Sequence, residues 1–287
     1  AYDTSGNGNH GVFGSGSSAP SWTSGKIGKA LNFDNNDYIV RQDTDNKADI
    51  TGSLTISAWI NLNPSSDYNV AIAKGNASAN NWNYYLRIDE SYLQFHFSGI
   101  SATFVDTDWG ATPNTWYFIS VVLDDENNKL TLYKNGVIEY TRDETGSTAP
   151  NNYPLTIGIR ESTTGHYEGP FDGKIDNVKI WNTALTPAQI AYEYNQGAPI
   201  GHWRLDEKSG AIAYDSSGLG NTGALGSGTS SPTWTTGKLN NAASFDGTND
   251  HIQIPHNTSL NLDAYTQSYS ISLWLKSSAT SATLAPR

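Results

Sequence analysis

Between residues 54 and 62, Leu54, Ile56, Ala58, Ile60 and Leu62 alternate with Thr55, Ser57, Trp59 and Asn61. That period of two predicts a strand with one face turned to a core. Shorter apolar runs predict further strands at 30–33, 38–40, 70–73, 83–88, 92–97, 116–123, 130–134, 137–141, 155–159 and 174–181. Polar turns separate them: residues 34–37, Asp89-Glu90-Ser91 as a hairpin connection, and Asn135-Gly136, a pair that favours a two-residue hairpin. One stretch alone has helical signals, with Thr186 as N-cap, Pro187 at the first helical position and PAQIAYEYN running to Asn195. About a dozen short strands joined by Gly, Asn and Pro turns predict an all-β fold, an antiparallel two-sheet sandwich or jelly roll.

The chain also repeats itself. AYDTSGNGNHG at 1–11 returns as AYDSSGLGNTG at 213–223, and the match runs on through Trp22/Trp234, Gly25/Gly237 and Phe33-Asp34/Phe245-Asp246. It resumes at Ile56-Ser57-Ala58-Trp59 against Ile271-Ser272-Leu273-Trp274. So long a spacing predicts whole domains in tandem, one over 1–198 and part of a second over 199–287.

Composition narrows the partners. With 37% apolar and 16% charged residues, the 287-residue chain has enough apolar sequence for a sizeable core. The 28 acids against 17 bases give a net charge of −11, the wrong sign for nucleic acid or an anionic membrane. Calcium or a neutral ligand fits better. There is no cysteine, which excludes disulfides and thiol chemistry and leaves zinc only His and carboxylate ligands. No apolar run is long enough to span a membrane and no signal-peptide pattern opens the sequence. A start at Ala1 without any methionine reads as a processed protein or an excised fragment.

The motifs DTSGNGNHG, ALNFDNNDYI, LTISAWI, TWYFISVVLD, LTLYKNG and FDGKIDNVKIWNTALTPAQI, in that order, cover nearly the whole chain. Together they resemble the laminin G-like or concanavalin A-like lectin/glucanase superfamily, in its bacterial and archaeal extracellular branch. The resemblance implies a jelly roll with one short C-terminal helix per repeat and an extracellular or cell-surface location. It also implies an opening strand before each DxSGxGN loop. The second copy has it as GHWRLDE at 201–207, while the first copy begins beyond that point. The simple expectation is a piece of a tandem array. The sharper one is that His202, Trp203, Arg204 and Leu205 pair with a strand edge of the first repeat, in the same chain or in a neighbour, giving a head-to-tail assembly.

Three chemistries need testing against these residues. Calcium takes six to eight oxygens, which irregular Gly/Asn/Asp loops supply. Asp3, Asn7, Asn9, Asp34 and Asp176 are the candidate ligands, and family members that bind calcium near this loop imply that they meet at one edge of the sandwich. The competing reading is that Asp3 and Ser5 hydrogen-bond their own loop and Asp34 steadies a turn. For sugar binding, 9 Trp and 16 Tyr are a rich supply. Trp22, Trp59, Trp116 and Trp181 read as structural, whereas Trp82, Tyr84, Tyr92, Trp109 and Tyr167, in or beside loops, are the ligand candidates.

For catalysis, the superfamily's glucanases set three acids at alternate positions of one strand, and retaining hydrolysis needs two carboxyls about 5 Å apart. No strand here offers that. Asp89-Glu90 lies at a turn, Asp124-Asp125-Glu126 in a loop, and Asp172 and Asp176 lack a third acid at the needed spacing. His10, His96, His166, His202, His251 and His256 include no metal-ligand pair and no nucleophile-elbow neighbour. The sequence therefore reads as a non-catalytic extracellular adhesion module, carbohydrate-binding and calcium-stabilised. The alternatives are a fibre subunit assembled by strand exchange and a glycan-cleaving enzyme.

Overall fold

The turn chemistry closes as the sequence requires: Asn135 and Gly136 both take positive φ, 52° and 78°, the backbone of a tight hairpin whose twist matches its strands. The computed structural model describes residues 1–34, 36–64, 68–88, 92–97, 107–108, 110–261 and 269–277, with the side chains of Tyr92, Thr107 and Asp108 left out. Two units are separated, Ala1–Tyr194 and Asn195–Arg287.

In the first unit the strands are β1 (Val12–Phe13), β2 (Ser21–Ser24), β3 (Lys29–Phe33), β4 (Ile39–Arg41), β5 (Leu54–Leu62) and β6 (Asn69–Asn76). There follow β7 (Asn81–Ile88), β8 (Tyr92–His96), β9 (Thr107–Asp108), β10 (Trp116–Asp124), β11 (Lys129–Lys134) and β12 (Val137–Asp143). Last come β13 (Leu155–Ile157), β14 (Arg160–Thr163), β15 (His166–Glu168), β16 (Gly173–Trp181) and the helix α1 (Pro187–Asn195). A nine-stranded sheet runs β1-β4-β13-β6-β7-β8-β9, with β14 and β15 attached beside β6. A seven-stranded sheet runs β12-β11-β10-β5-β16-β3-β2. Pairing is antiparallel throughout except where β14 meets β6 at Glu161 and Asn76. This is a sandwich of the jelly-roll kind, and the main core lies between its sheets: Leu54, Ile56 and Ile60 of β5 and Ile119 and Val121 of β10 pack with Leu86, Ile88 and Phe95.

One expectation fails instructively. The alternation in β5 predicts a polar outer face, yet all nine of its positions are buried. The outer face of the seven-stranded sheet carries a second cluster in which Trp59, Phe118, Val122 and Tyr133 pack under Leu185 and Ile190. Helix α1 is the lid. Thr186 Oγ accepts from the Gln189 N–H (3.3 Å) while Gln189 Oε1 accepts from the Thr186 N–H (2.8 Å), a reciprocal capping box. Thr55 is satisfied beneath it, donating to the Thr183 carbonyl (2.7 Å) and accepting from the Leu185 N–H (3.0 Å).

The second unit has β17 (Ile212–Ala213), β18 (Gly223–Leu225), β19 (Thr233–Thr236), β20 (Asn241–Ser244) and β21 (Ile252–Gln253). They form a three-stranded sheet β17-β18-β21 and a hairpin β19-β20. Among its described residues there is no α-helix, so the helix expected per repeat is found once. No helix among the described residues is long and apolar enough to cross a membrane.

Candidate functional site

The repeated loop is held by its own aspartate. Asp3 accepts from the N–H and the hydroxyl of Ser5 (2.8 and 2.9 Å) and from the Asn9 N–H (2.8 Å). Asp215 does the same with Ser217 (2.9 and 2.7 Å) and Asn221 (2.8 Å). Partial burial works against ionisation of both carboxyls, but these donors, joined at Asp215 by the His202 N–H, outweigh it and hold each below the ordinary carboxylate range. Asn7 faces the same loop, its N–H on Ser5 Oγ (3.2 Å).

The other expected calcium ligands serve different turns. Asp176 is buried and accepts from the Ile27 N–H (2.8 Å), and Gly25 is glycine because a Cβ there would lie 2.5 Å from the Asp176 carboxylate. Asp34 is exposed, its N–H on Asp37 Oδ2 (3.0 Å). Among the described residues no three His, Cys, Asp or Glu gather as a metal would need. Asp3, Asp34 and Asp176, expected to share one calcium ion, each serve a separate turn. One oxygen cage in the unit already holds a cation: the fully buried Lys74 ammonium lies on Asp49 (2.7 Å), Asp43 (2.8 Å) and the carbonyls of Asn151 (2.8 Å) and Tyr153 (2.9 Å).

A different place concentrates recognition chemistry, the outer face of the nine-stranded sheet. Opposite Lys74 and Gly75, β7 carries an extra residue, since Lys74 faces Tyr84 and Gly75 faces Trp82. This bulge resets the alternation and puts Trp82 on the outer face with Tyr85, their rings stacked at 4.8 Å. Beside them stands the half-buried Tyr68, its ring under the guanidinium of Arg87 (3.8 Å) and that of Arg160 (4.9 Å). Arg87 also bonds Gln94 (3.0 Å) across the β7–β8 pair, and Arg160 pairs with the exposed Glu168 (2.7 Å). Burial pushes the His96 imidazole down to about 4, so a neutral ring lies near Trp82 at 6.3 Å. Together these residues offer donors, acceptors and aromatic edges on one rigid sheet.

The expected sugar-binding residues divide accordingly. Trp82 reaches this face but is 3% exposed, and Tyr84 sits in the core with its hydroxyl on the Ala48 carbonyl (3.0 Å). Both lie inside β7, where stacking on a ligand is closed to them. Tyr167, on β15, is half-buried against Tyr38 at 4.7 Å. Trp109 and the side chain of Tyr92 lie outside the described residues. Tyr68, Arg87 and Arg160 were not among the candidates. Arg87 has a weak sequence signal, a cation at an outward position of the largely apolar β7, whereas Tyr68 just before β6 and Arg160 on the polar β14 have none.

No acid pair suited to hydrolysis appears on this face among the described residues: Glu168 is held by Arg160, and buried Glu161 accepts from Asn76 (3.3 Å) and the Gly165 N–H (3.0 Å). The Asp124-Asp125-Glu126 loop borders a cleft of 410 Å³ with Asn127 and Asn182. There Asp124 is tied to Asn127 (2.9 Å) and Asp125 to Ser147 (2.7 Å).

The opening segment of the second repeat also departs from expectation. His202 and Trp203 are engaged by their own repeat's loop: the His202 N–H donates to Asp215 Oδ1 (2.9 Å), and Trp203 pairs with Asp215 in an isolated bridge. Arg204 pairs with Asp206 (3.3 Å), and Leu205 takes a positive φ of 56°. The strand therefore stops where alternation predicted it to continue, because a left-handed residue cannot extend a ladder. The loop at 215–221 supplies the hydrogen bonds of His202 and Trp203.

A search of curated protein sequences returned no match. Among solved structures, domain 4 of AbnA, a GH43 extracellular arabinanase from Geobacillus stearothermophilus, in complex with arabinotriose, is 20% identical with TM-score 0.51 over 66% of this chain and 90% of that one. The binding domain of Paraclostridial Mosquitocidal Protein 1 is 16% identical with TM-score 0.52, covering 90% of this chain and 68% of that one. A botulinum neurotoxin type C structure, whose cell entry depends on interaction with two ganglioside molecules, is 15% identical with TM-score 0.50, over 69% and 49%. At such identities the likeness is one of fold. The Laminin_G_3 family model matches residues 33–191, more than half of the chain, and with the two-sheet sandwich in place the chain belongs to the concanavalin A-like lectin/glucanases superfamily.

Proposed function

We propose that the outer face of the nine-stranded sheet is the ligand face of a non-catalytic, carbohydrate-binding adhesion module that works outside the cell within a tandem array. The observation that carries this is the cluster of Tyr68, Arg87 and Arg160 with Gln94 and Glu168, standing on a sheet that no helix covers among the described residues. Sugars are recognised by planar groups that pack on C–H faces and by fixed forks of donors and acceptors that read hydroxyls. A non-catalytic module needs no acid pair at hydrolytic spacing, and both described acids of this face are committed to structural partners. Similar folds solved with arabinotriose or described as ganglioside-dependent support the ligand class.

Titration calorimetry of the intact chain against neutral and acidic oligosaccharides tests it. At least one should bind saturably, and Tyr68→Ala or Arg160→Ala should weaken binding about tenfold or more with little change in melting temperature. Failure of every oligosaccharide, or unchanged affinity in both variants, would remove the reading. Release of reducing ends on long incubation would replace it with an enzyme.

A further inference from the structure

Helix α1 follows β5 from Thr55, bonded to the Leu185 N–H, to Trp59, stacked on Tyr194. One outward position farther along β5 is Asn61, and there a row of side chains crosses the seven-stranded sheet. Strand register sets Trp116 of β10 opposite Asn61, Asn61 opposite Lys174 of β16, Lys174 opposite Asn32 of β3, and Asn32 opposite Ser21 of β2. Opposite residues share a face, and the core side is taken by their sequence neighbours Ile60, Ile175 and Leu31. With strands about 4.8 Å apart, the row is roughly 19 Å long. Ser21 is exposed, and Asn32, Lys174 and Trp116 are half-buried.

The middle of the row holds polar atoms in need of partners. Asn61 is 4% exposed and its Oδ1 has no donor among the described residues, while the buried Trp59 indole N–H beside it has no acceptor. Such atoms are rare in folded proteins, and a hydroxyl, which both donates and accepts, suits either. The charges nearby balance. The Lys26 ammonium lies over the Trp59 ring (4.9 Å), and Lys174 stands in sequence between Asp172 and Asp176. Asp172 accepts from Asn63 Nδ2 (2.7 Å) and Asp176 from the Ile27 N–H (2.8 Å). Two cations against two carboxylates favour a neutral ligand over an ion.

We infer that this row is a second ligand site, for a neutral, unbranched oligosaccharide laid across the strands. The Trp116 indole gives a plane for the C–H face of one sugar, and Asn61, Lys174, Asn32 and Ser21 meet the hydroxyls of the sugars that follow. The length of the row selects a chain over a mono- or disaccharide. The site lies on the opposite sheet from Tyr68, Arg87 and Arg160, with the main core between, and does not rest on the reading of that face. Sites on both sheets would let one module bridge two glycan chains.

The test is calorimetry on the full chain carrying Tyr68→Ala, which disables the other face, against cellopentaose, xylopentaose, mannopentaose and arabinopentaose. At least one pentaose should bind saturably, and the disaccharide of the same sugar about tenfold more weakly or worse. Adding Lys174→Met, which removes the charge and keeps the stem, or Asn32→Ala should weaken the pentaose about tenfold or more while circular dichroism stays unchanged. Raising the salt should leave the affinity alone, as a neutral ligand requires. Three outcomes would overturn the proposal: no pentaose bound by the Tyr68→Ala chain, equal binding of disaccharide and pentaose, or full affinity in both added variants. If instead Tyr68→Ala binds as the unaltered chain does and Lys174→Met abolishes it, this site stands and the open face is not the ligand face.

Discussion

The two outer faces of the sandwich have opposite fates. On the seven-stranded sheet, Trp59, Phe118 and Tyr133 vanish beneath α1, and the Trp59 ring stacks on Tyr194 at 5.5 Å. On the nine-stranded sheet, no helix lies over Tyr68, Arg87 and Arg160 among the described residues, and guanidinium groups cap the tyrosine in place of apolar side chains. The first face is a second core. The second keeps its polar groups within reach of water while its aromatics are held rigid, which is what a binding surface needs and a core does not.

The largest effect should separate these faces. Phe118 is 1% exposed in the covered cluster, so Phe118→Ala should cost about 3–5 kcal/mol, the combined loss of transfer energy and packing around a cavity. Tyr68→Ala, on the open face, should cost about 1 kcal/mol or less. Urea unfolding followed by circular dichroism measures both. Equal losses would mean that the open face is as much a core as the covered one.

A smaller effect comes from His96 under the open face. Its imidazole is pushed by burial from 6.5 down to about 4 in the folded chain. Above pH 6.5 the ring is neutral whether folded or not, so no protons are exchanged on unfolding. As pH falls from 6.5 toward 4 the unfolded chain takes up the proton first, and stability drops, by an amount on the order of 2 kcal/mol. His96→Gln should flatten that part of the profile, and an unchanged slope would show that other groups carry it.

The contrast between the faces was only half legible in the sequence. Alternation placed β5 correctly, Asn135-Gly136 named the β11–β12 hairpin, and Thr186-Pro187 named the start of α1, because each signal is local. Alternation cannot say what lies over a strand's second face, so Trp59 read as structural without any sign that α1 is what covers it. The site was less legible still. Trp82 owes its face to a bulge that no residue type announces, and β14 and β15, written REST and HYE, carry no apolar period at all. The pairing of His202 with Asp215 was hidden because a loop, with its side-chain oxygens, acts there as the partner strand.

The helix lid itself can be loosened slightly. Thr186→Ala removes the hydroxyl of the capping box and should cost about 1 kcal/mol, read as a lowered urea midpoint. Because the cap sits at the covered face, oligosaccharide affinity at the open face should not change. A parallel loss of affinity would tie the two faces together and blur the comparison.

The smallest effect expected is that of a chelator. A bound calcium ion would stabilise the folded chain by mass action, and its removal would lower the melting temperature. Here Asp3 is satisfied by Ser5 and Asn9, Asp176 holds the Ile27 N–H, and the cage at Asp43 and Asp49 is filled by Lys74. A lysine ammonium brings its own charge and needs no free ion, so this region should melt at the same temperature with calcium or with chelator. Lys74→Met, by contrast, leaves Asp49 without its cation and Asp43 with Arg41 alone, and should cost about 3–5 kcal/mol. If chelator alone lowers the melting temperature of the unaltered chain, a calcium ion is bound at oxygens other than these.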